Sequence, residues 1–111
     1  GVYQAAKDEG KFAIGVDSNQ NYLHPGVMLT SMVKRVGLAT YTMFEDYQNG
    51  KWEPGIHANG LKENGVDWAL DDYNRSLVTP EMEKQLTAIS DKIKSGDIVV
   101  HDYMSDNTCN Y

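Results

Sequence analysis

The sequence predicts an α/β protein, and three features predict it. A helix-forming segment at residues 2–9 runs directly into a short apolar stretch that stops at an acid, KFAIGVD. A second apolar stretch, VMLTSM, passes into a long segment with helical spacing. A further helix, with both start and stop signals, follows two short strand candidates. Alternation of strand and helix is the rhythm of layered α/β folds.

Each element has its own reason. Ala5 and Ala6 favour a helix over residues 2–9, and Gly10 ends it. KFAIGVD is short, apolar and bounded by turn residues, so it reads as a buried strand. SNQNYLHPG is a loop by composition, closed by Pro25 and Gly26. VMLTSM reads as a second strand. From Val33 to Gln48 a helix is expected, because Val33, Val36, Thr40, Met43, Phe44 and Tyr47 share one helical face and Gly50 closes it. Gly37 costs that helix about 1 kcal/mol against alanine, which points to close packing there.

HANGL and GVDWAL are strand candidates on either side of a KENG turn. The last helix is the most fully punctuated. Thr79 is a natural N-cap, Pro80 suits the first helical position, and Glu81 suits the positive end. Met82, Leu86, Ile89 and Ile93 mark its apolar face, Lys92 and Lys94 its final turn, and Gly96 its stop. IVVHDY is expected to be a closing strand or an extended tail.

Composition excludes several function classes. The 111 residues are 41% hydrophobic, room for one domain with one core. No run approaches the ~18 apolar residues of a membrane span. Ten basic residues against sixteen acidic leave a net charge of −6, which repels phosphate backbones, so nucleic-acid binding is not expected. Phosphate-loop, dinucleotide-binding, zinc-protease, paired-cysteine and nucleophile-elbow motifs are all missing.

His24, His57 and His101 are scattered and read as exposed residues rather than ligands; neither a metal nor a cofactor is expected. Cys109 has no histidine or basic neighbour to stabilise a thiolate. Asp71 and Asp72 are adjacent, and on a strand they would point to opposite faces, so they read as solvating a strand exit rather than as a catalytic dyad. Glu81 and Glu83 serve the start of the last helix. The opening GVYQAAKDEG, without initiator methionine or leader, reads as the middle of a longer protein.

Asp17 and Lys34 remain. In open α/β sheets ligands sit at the carboxyl ends of strands, and Asp17 is expected to end its strand. An ionised carboxylate accepts two hydroxyl hydrogen bonds at once, which suits a vicinal diol such as a ribose. Lys34 would donate to a hydroxyl, ring oxygen or base heteroatom, or neutralise Asp17. Spacing alone leaves a plainer alternative open, in which Asp17 caps a turn and Lys34 lies on the solvent face of its helix.

GVDSNQ, followed by LTSMVKRV and then by GLKENGV, resembles the basic membrane lipoprotein family of solute-binding proteins, which includes the PnrA-type purine nucleoside receptors of ABC importers. The resemblance runs in order along nearly the whole chain. It implies a type I periplasmic-binding-protein fold, of which this chain is the C-terminal fragment with hinge-crossing strands. Residues 1–32 would belong to the second lobe, 33–70 would contribute a helix and strands to the first, and 71–111 would return to the second. It further implies that Asp17 holds ribose hydroxyls and that Lys34 donates to the nucleoside.

The implied partners are a small-molecule ligand, an ABC permease and the N-terminal portion of the same protein, at a periplasmic or cell-surface location with a lipid anchor outside this chain. No catalysis is expected. The alternatives are a receptor for a free sugar or other polar metabolite, a surface or regulatory lipoprotein without transport, and an enzyme acting on nucleosides. Trp68 and the acidic DDYN at 71–74 depart from the family's usual pattern; Trp68 reads as a core or hinge aromatic rather than a stacking platform.

Overall fold

In a computed structural model, residues 1–109 are described. The frame is a three-stranded sheet in the order β1-β2-β3, with β1 at Ala13–Asp17, β2 at Met28–Lys34 and β3 at Val66–Trp68. β1 and β2 run parallel, and the short β3 closes the other side of β2 antiparallel to it. The connection between the parallel strands is unusually brief. Residues 18–27 make the whole return, where such crossovers commonly take a dozen or more residues and a helix. A single 3-10 turn at Asn21–Leu23 stands in for the helix.

The helices are α1 at Val2–Asp8, α2 at Val36–Gln48, α3 at Pro80–Ser95 and the one-turn α4 at Tyr103–Asp106. The expected ends of α3 are all present. The Thr79 hydroxyl accepts from the Met82 N–H at 3.2 Å, Pro80 takes the first position, and Gly96 stops the helix at a left-handed φ of 88°. Among the described residues, α1 and the 3-10 turn pack against the sheet; α2 and α3 do not cover it as layers.

Two expectations are corrected, and a third, left open between strand and tail, is resolved as tail. Val33 and Lys34 belong to β2, not to the following helix, because their backbone is in the sheet: Val33 is paired on both sides, with Asp17 and Asp67, and Lys34 on one, with Val66. Helix spacing could not reveal that competition. α2 begins only at Val36, after Arg35 donates its N–H to the Gly65 carbonyl at 2.8 Å. HANGL forms no strand. It leads into a turn closed by the Gly65 N–H on the Gly60 carbonyl at 2.9 Å, and GVDWAL pairs over three residues only. IVVHDY is unpaired chain up to Tyr103, where α4 starts.

The interior is small and unusually polar. Val27, Met28 and Val78 are the buried apolar residues; Asn21, Ser31 and Asn74 are buried beside them with no solvent exposure at all. The apolar face expected for the long helix exists, but it is open: Val36, Phe44 and Tyr47 are 67%, 61% and 71% exposed. The radius of gyration is 16.9 Å, against roughly 13 Å for a compact domain of this length. The accessible surface of 8575 Å² likewise exceeds the roughly 6,100 Å² expected for its mass.

Gly15 is where the sequence yields to the polar interior. It pairs with Ser31, and a Cβ at Gly15 would stand 2.5 Å from the Ser31 hydroxyl and 3.1 Å from Gln20 Cβ. That hydroxyl is held in place by two hydrogen bonds, from the Gln20 N–H and to the Asn21 side-chain oxygen, so it cannot simply swing away. Gly15→Ala is therefore expected to cost about 1–3 kcal/mol, the range for overpacking, read as a lowered urea midpoint. An unchanged midpoint would mean that Ser31 is free to move.

Candidate functional site

Asp17 ends β1 and Lys34 ends β2, and because the strands are parallel both residues emerge at the same edge of the sheet. Lys34 Nζ lies 2.8 Å from Asp17 Oδ1. The pair is open to solvent, with the side chains 54% and 67% exposed. An ion pair so exposed contributes only about 0–1 kcal/mol to stability. Its carboxylate still has lone pairs facing water, and its ammonium has two further N–H donors. The arrangement can therefore offer acceptor and donor to one polar ligand at once.

Asp17 also departs from strand geometry. Its φ of 75° is left-handed, one of three such values outside glycine among the described residues. That conformation costs an L-residue roughly 1–2 kcal/mol, less for Asp and Asn than for bulkier residues. It turns the chain sharply out of β1 into the loop. Gln20 holds that corner from the other side: its Nε2 donates to the Val16 carbonyl at 2.6 Å, and its Oε1 accepts from the Tyr3 hydroxyl at 2.8 Å.

From Gln20 a continuous hydrogen-bonded chain runs beneath the corner. The Gln20 N–H donates to Ser31 Oγ, which donates to Asn21 Oδ1 at 2.8 Å. Asn21 Nδ2 and Asn19 Nδ2 both donate to Asp71 Oδ2, at 3.1 and 2.7 Å. The Asp71 N–H donates to Asn74 Oδ1 at 2.8 Å, and Asn74 Nδ2 donates to the carbonyls of Leu29 and Ala69, each at 2.9 Å. Every buried side-chain polar atom among the described residues has a partner.

Burial would push the Asp71 carboxyl up. The hydrogen bonds from Asn19, the Tyr73 N–H, Asn21 and the Asn74 N–H outweigh it and hold the group below the usual carboxylate range. Asp71 is thus not a solvating residue at a strand exit, as its adjacency to Asp72 suggests, but the half-buried junction of two loops. Sequence reasoning passed over Gln20, Asn21 and Asn74 as well. Two signals could have found them: SNQN directly after a strand, and DDYN before a helix, are Asx-turn sequences whose side chains cap nearby N–H groups.

The other candidates fall elsewhere. Trp68 is half-buried in β3, paired with Met32, and borders a shallow hollow with Asn19, Arg35 and Asp67, the last two paired at 2.6 Å. A larger hollow of about 560 Å³ lies between α2 and residues 51–65, with Met43, Trp52 and His57 in its walls and neither Asp17 nor Lys34. His57 and His101 are exposed, and His24 stacks edgewise on Tyr3 at 6.2 Å. Cys109 is exposed. Among the described residues no three His, Cys, Asp or Glu side chains are grouped to hold a metal ion.

Comparison with known proteins bears on this geometry. Residues 1–103 match the family described as ABC transporter substrate-binding protein PnrA-like. Basic membrane protein C of Borreliella burgdorferi is 31% identical over 106 residues, covering 92% of this chain and 29% of that protein. An uncharacterized lipoprotein of Pyrococcus horikoshii is 40% identical, covering 89% of this chain and 33% of that protein. A solved structure titled a transcriptional activator of the comK gene from Bacillus halodurans superposes with a TM-score of 0.77 at 28% identity, over 90% of this chain and 34% of its own. The chain spans about a third of the length of the relatives it matches.

The junction under the site can be tested without a ligand. Asp71→Asn replaces one acceptor by a donor facing the amides of Asn19 and Asn21, and at neutral pH it is expected to cost about 1–2 kcal/mol. Because the folded-state value of Asp71 is depressed, its contribution is fully present above the ordinary carboxylate pKa of about 4 and is lost as pH falls through the folded value. The stability gap between parent and variant should therefore narrow on acidification below about pH 4. A gap independent of pH would show that the Asp71 charge is not what holds the two loops.

Proposed function

Since the chain belongs to the PnrA-like family of ABC transporter substrate-binding proteins, we propose that it takes part in binding a nucleoside, purine nucleosides foremost, through Asp17 and Lys34. The observation that carries this reading is the pairing of those two residues, 2.8 Å apart and open to water, at the carboxyl ends of adjacent parallel strands. Asp17 accepts from the two ribose hydroxyls and Lys34 donates to the nucleoside beside them. The ligand exchanges the weak Asp17–Lys34 contact for stronger, partly enclosed ones, so little stability is lost in opening the pair.

The lobe assignment follows the same reading. Residues 1–32 and 71–111 belong to one lobe, in keeping with the bonds that tie Asp71 and Asn74 to Asn19, Asn21 and Leu29. Residues 33–70 cross a hinge, and the bare apolar face of α2 fits a segment that packs into a further lobe. Closure of two lobes over ligand would present the protein to an ABC permease. The location is extracytoplasmic, with attachment by a lipid outside this chain, in keeping with relatives named as lipoproteins. No bond is broken in this function, and the protein is not an enzyme.

A second reading has one observation behind it: the similar solved chain titled a transcriptional activator. On that reading the bound ligand controls a regulatory contact instead of uptake, through a protein partner, since a net charge of −6 disfavours DNA.

Mass spectrometry of small molecules released from gently purified protein is expected to find a purine nucleoside. A different polar metabolite would keep the receptor and remove the nucleoside. Asp17→Ala is expected to weaken nucleoside affinity by about 30- to 100-fold, the worth of one or two hydrogen bonds to a charged group, with the fold retained and the melting temperature modestly lowered, because alanine tolerates the left-handed φ at this position less well than aspartate. Parental affinity in titration calorimetry would overturn the assignment of Asp17.

A further inference from the structure

We infer that Gln20 is a positioning residue for Asp17: its side chain fixes the peptide plane between Val16 and Asp17 and so sets where the Asp17 carboxylate points. The inference rests on the binding role proposed for Asp17, but its geometry is independent of that role. A peptide plane has one carbonyl and one N–H on opposite sides, so fixing the Val16 carbonyl also fixes the Asp17 N–H, one of the two ends that define φ at Asp17; the other is held by the loop, whose Gln20 N–H is bonded to Ser31. Gln20 Nε2 grips that carbonyl at 2.6 Å. Asp17, the next residue, holds the left-handed φ of 75° that an L-residue leaves when nothing retains it.

Gln20 is itself held from three directions, which is what a clamp requires. Its Oε1 accepts from Tyr3 on α1, its backbone N–H donates to Ser31 on β2, and its Cβ faces the space kept clear by Gly15 on β1. A glutamine that only solvated the loop would need none of these. Its amide also has the right polarity at each end, with the donor toward the Val16 carbonyl and the acceptor toward the Tyr3 hydroxyl. Glutamate has the same shape but, ionised, no donor for Val16. With that bond gone, the plane is held only by its pairing with β2, which lets Asp17 relax toward extended backbone and its carboxylate leave the Lys34 side of the edge.

The test uses Gln20→Glu and Gln20→Ala in the purified protein, with guanosine as the probe and Thr79→Ala as a destabilised variant remote from the corner. Two quantities are read: the NMR signature of positive φ at residue 17, a strong intraresidue amide–Hα NOE with its scalar coupling, and guanosine affinity. Both Gln20 variants are expected to lose the positive-φ signature and to bind about five- to tenfold more weakly, while Thr79→Ala keeps signature and affinity. A retained signature with affinity within twofold of the parent would overturn the inference. So would an equal loss of affinity in Thr79→Ala, since general destabilisation would then account for it. If the parent itself binds no guanosine, the nucleoside reading fails, and the signature at residue 17 still decides the role of Gln20. If Gln20→Ala does not fold, the near-isosteric Gln20→Glu decides both.

Discussion

The structure depends on one half-buried carboxylate junction. Asp71 gathers donors from Asn19, Asn21 and the Tyr73 backbone, and through Asn74 the same junction reaches the carbonyls of Leu29 and Ala69. It joins a loop that leaves β1 to a turn some fifty residues later in the chain, a separation the hydrogen bonds themselves span. With Val27, Met28 and Val78 as the buried apolar side chains, there is little hydrophobic burial to do this work instead. Hydrogen bonds are directional, so the junction specifies a particular loop geometry where an apolar cluster would tolerate several. The cost is that each member must be satisfied, and among the described residues each is.

That junction explains how two parallel strands are joined by so short a return. Asn21 sits in the 3-10 turn with no solvent exposure, bonded to Ser31 on the far strand and to Asp71 beyond it. The turn is anchored at its centre, and the chain can reverse without a helix to fill the crossover. Gly15 makes room for the anchor, and Gln20 extends it to the end of β1. The left-handed corner at Asp17 is thus the outermost part of a rigid assembly, although Asp17 itself is open to water. The charged pair is reached by a polar partner without opening the fold, and the hydrogen bonds beneath it limit reorganisation of the corner.

The rest of the molecule is built on different terms. α3 has every local signal a helix can carry and forms accordingly, yet Leu86 and Ile89 on its apolar face remain 40% and 48% exposed. α2 is barer still. Exposed apolar side chains lie on these helix faces and also along β1, at Ile14 and Val16, while the loops at the strand ends are tied by hydrogen bonds. Apolar patterning in this chain therefore describes more burial than its own 111 residues provide.

How much was legible follows from this division. Residues 2–9, the strand ending at Asp17 and the helix from Thr79 to Gly96 could be read directly, because caps, glycine stops and apolar bounds act between near neighbours. Asp17 and Lys34 were named from the sequence as a candidate pair, but with Lys34 in the wrong element. Helical spacing drew Val33 and Lys34 into α2, and only pairing with β1 and β3 places them at the end of β2. HANGL failed as a strand because no neighbour offers its backbone a ladder. The amides of SNQN and DDYN looked like loop polarity, and their meeting at Asp71 is invisible to any local pattern. Local chemistry, acting over a few residues, was determined by the sequence alone. Strand partnership, the left-handed corner at Asp17 and the hydrogen-bonded junction beneath it were decided by tertiary structure, since each depends on groups that come together only when distant segments satisfy one another's hydrogen bonds.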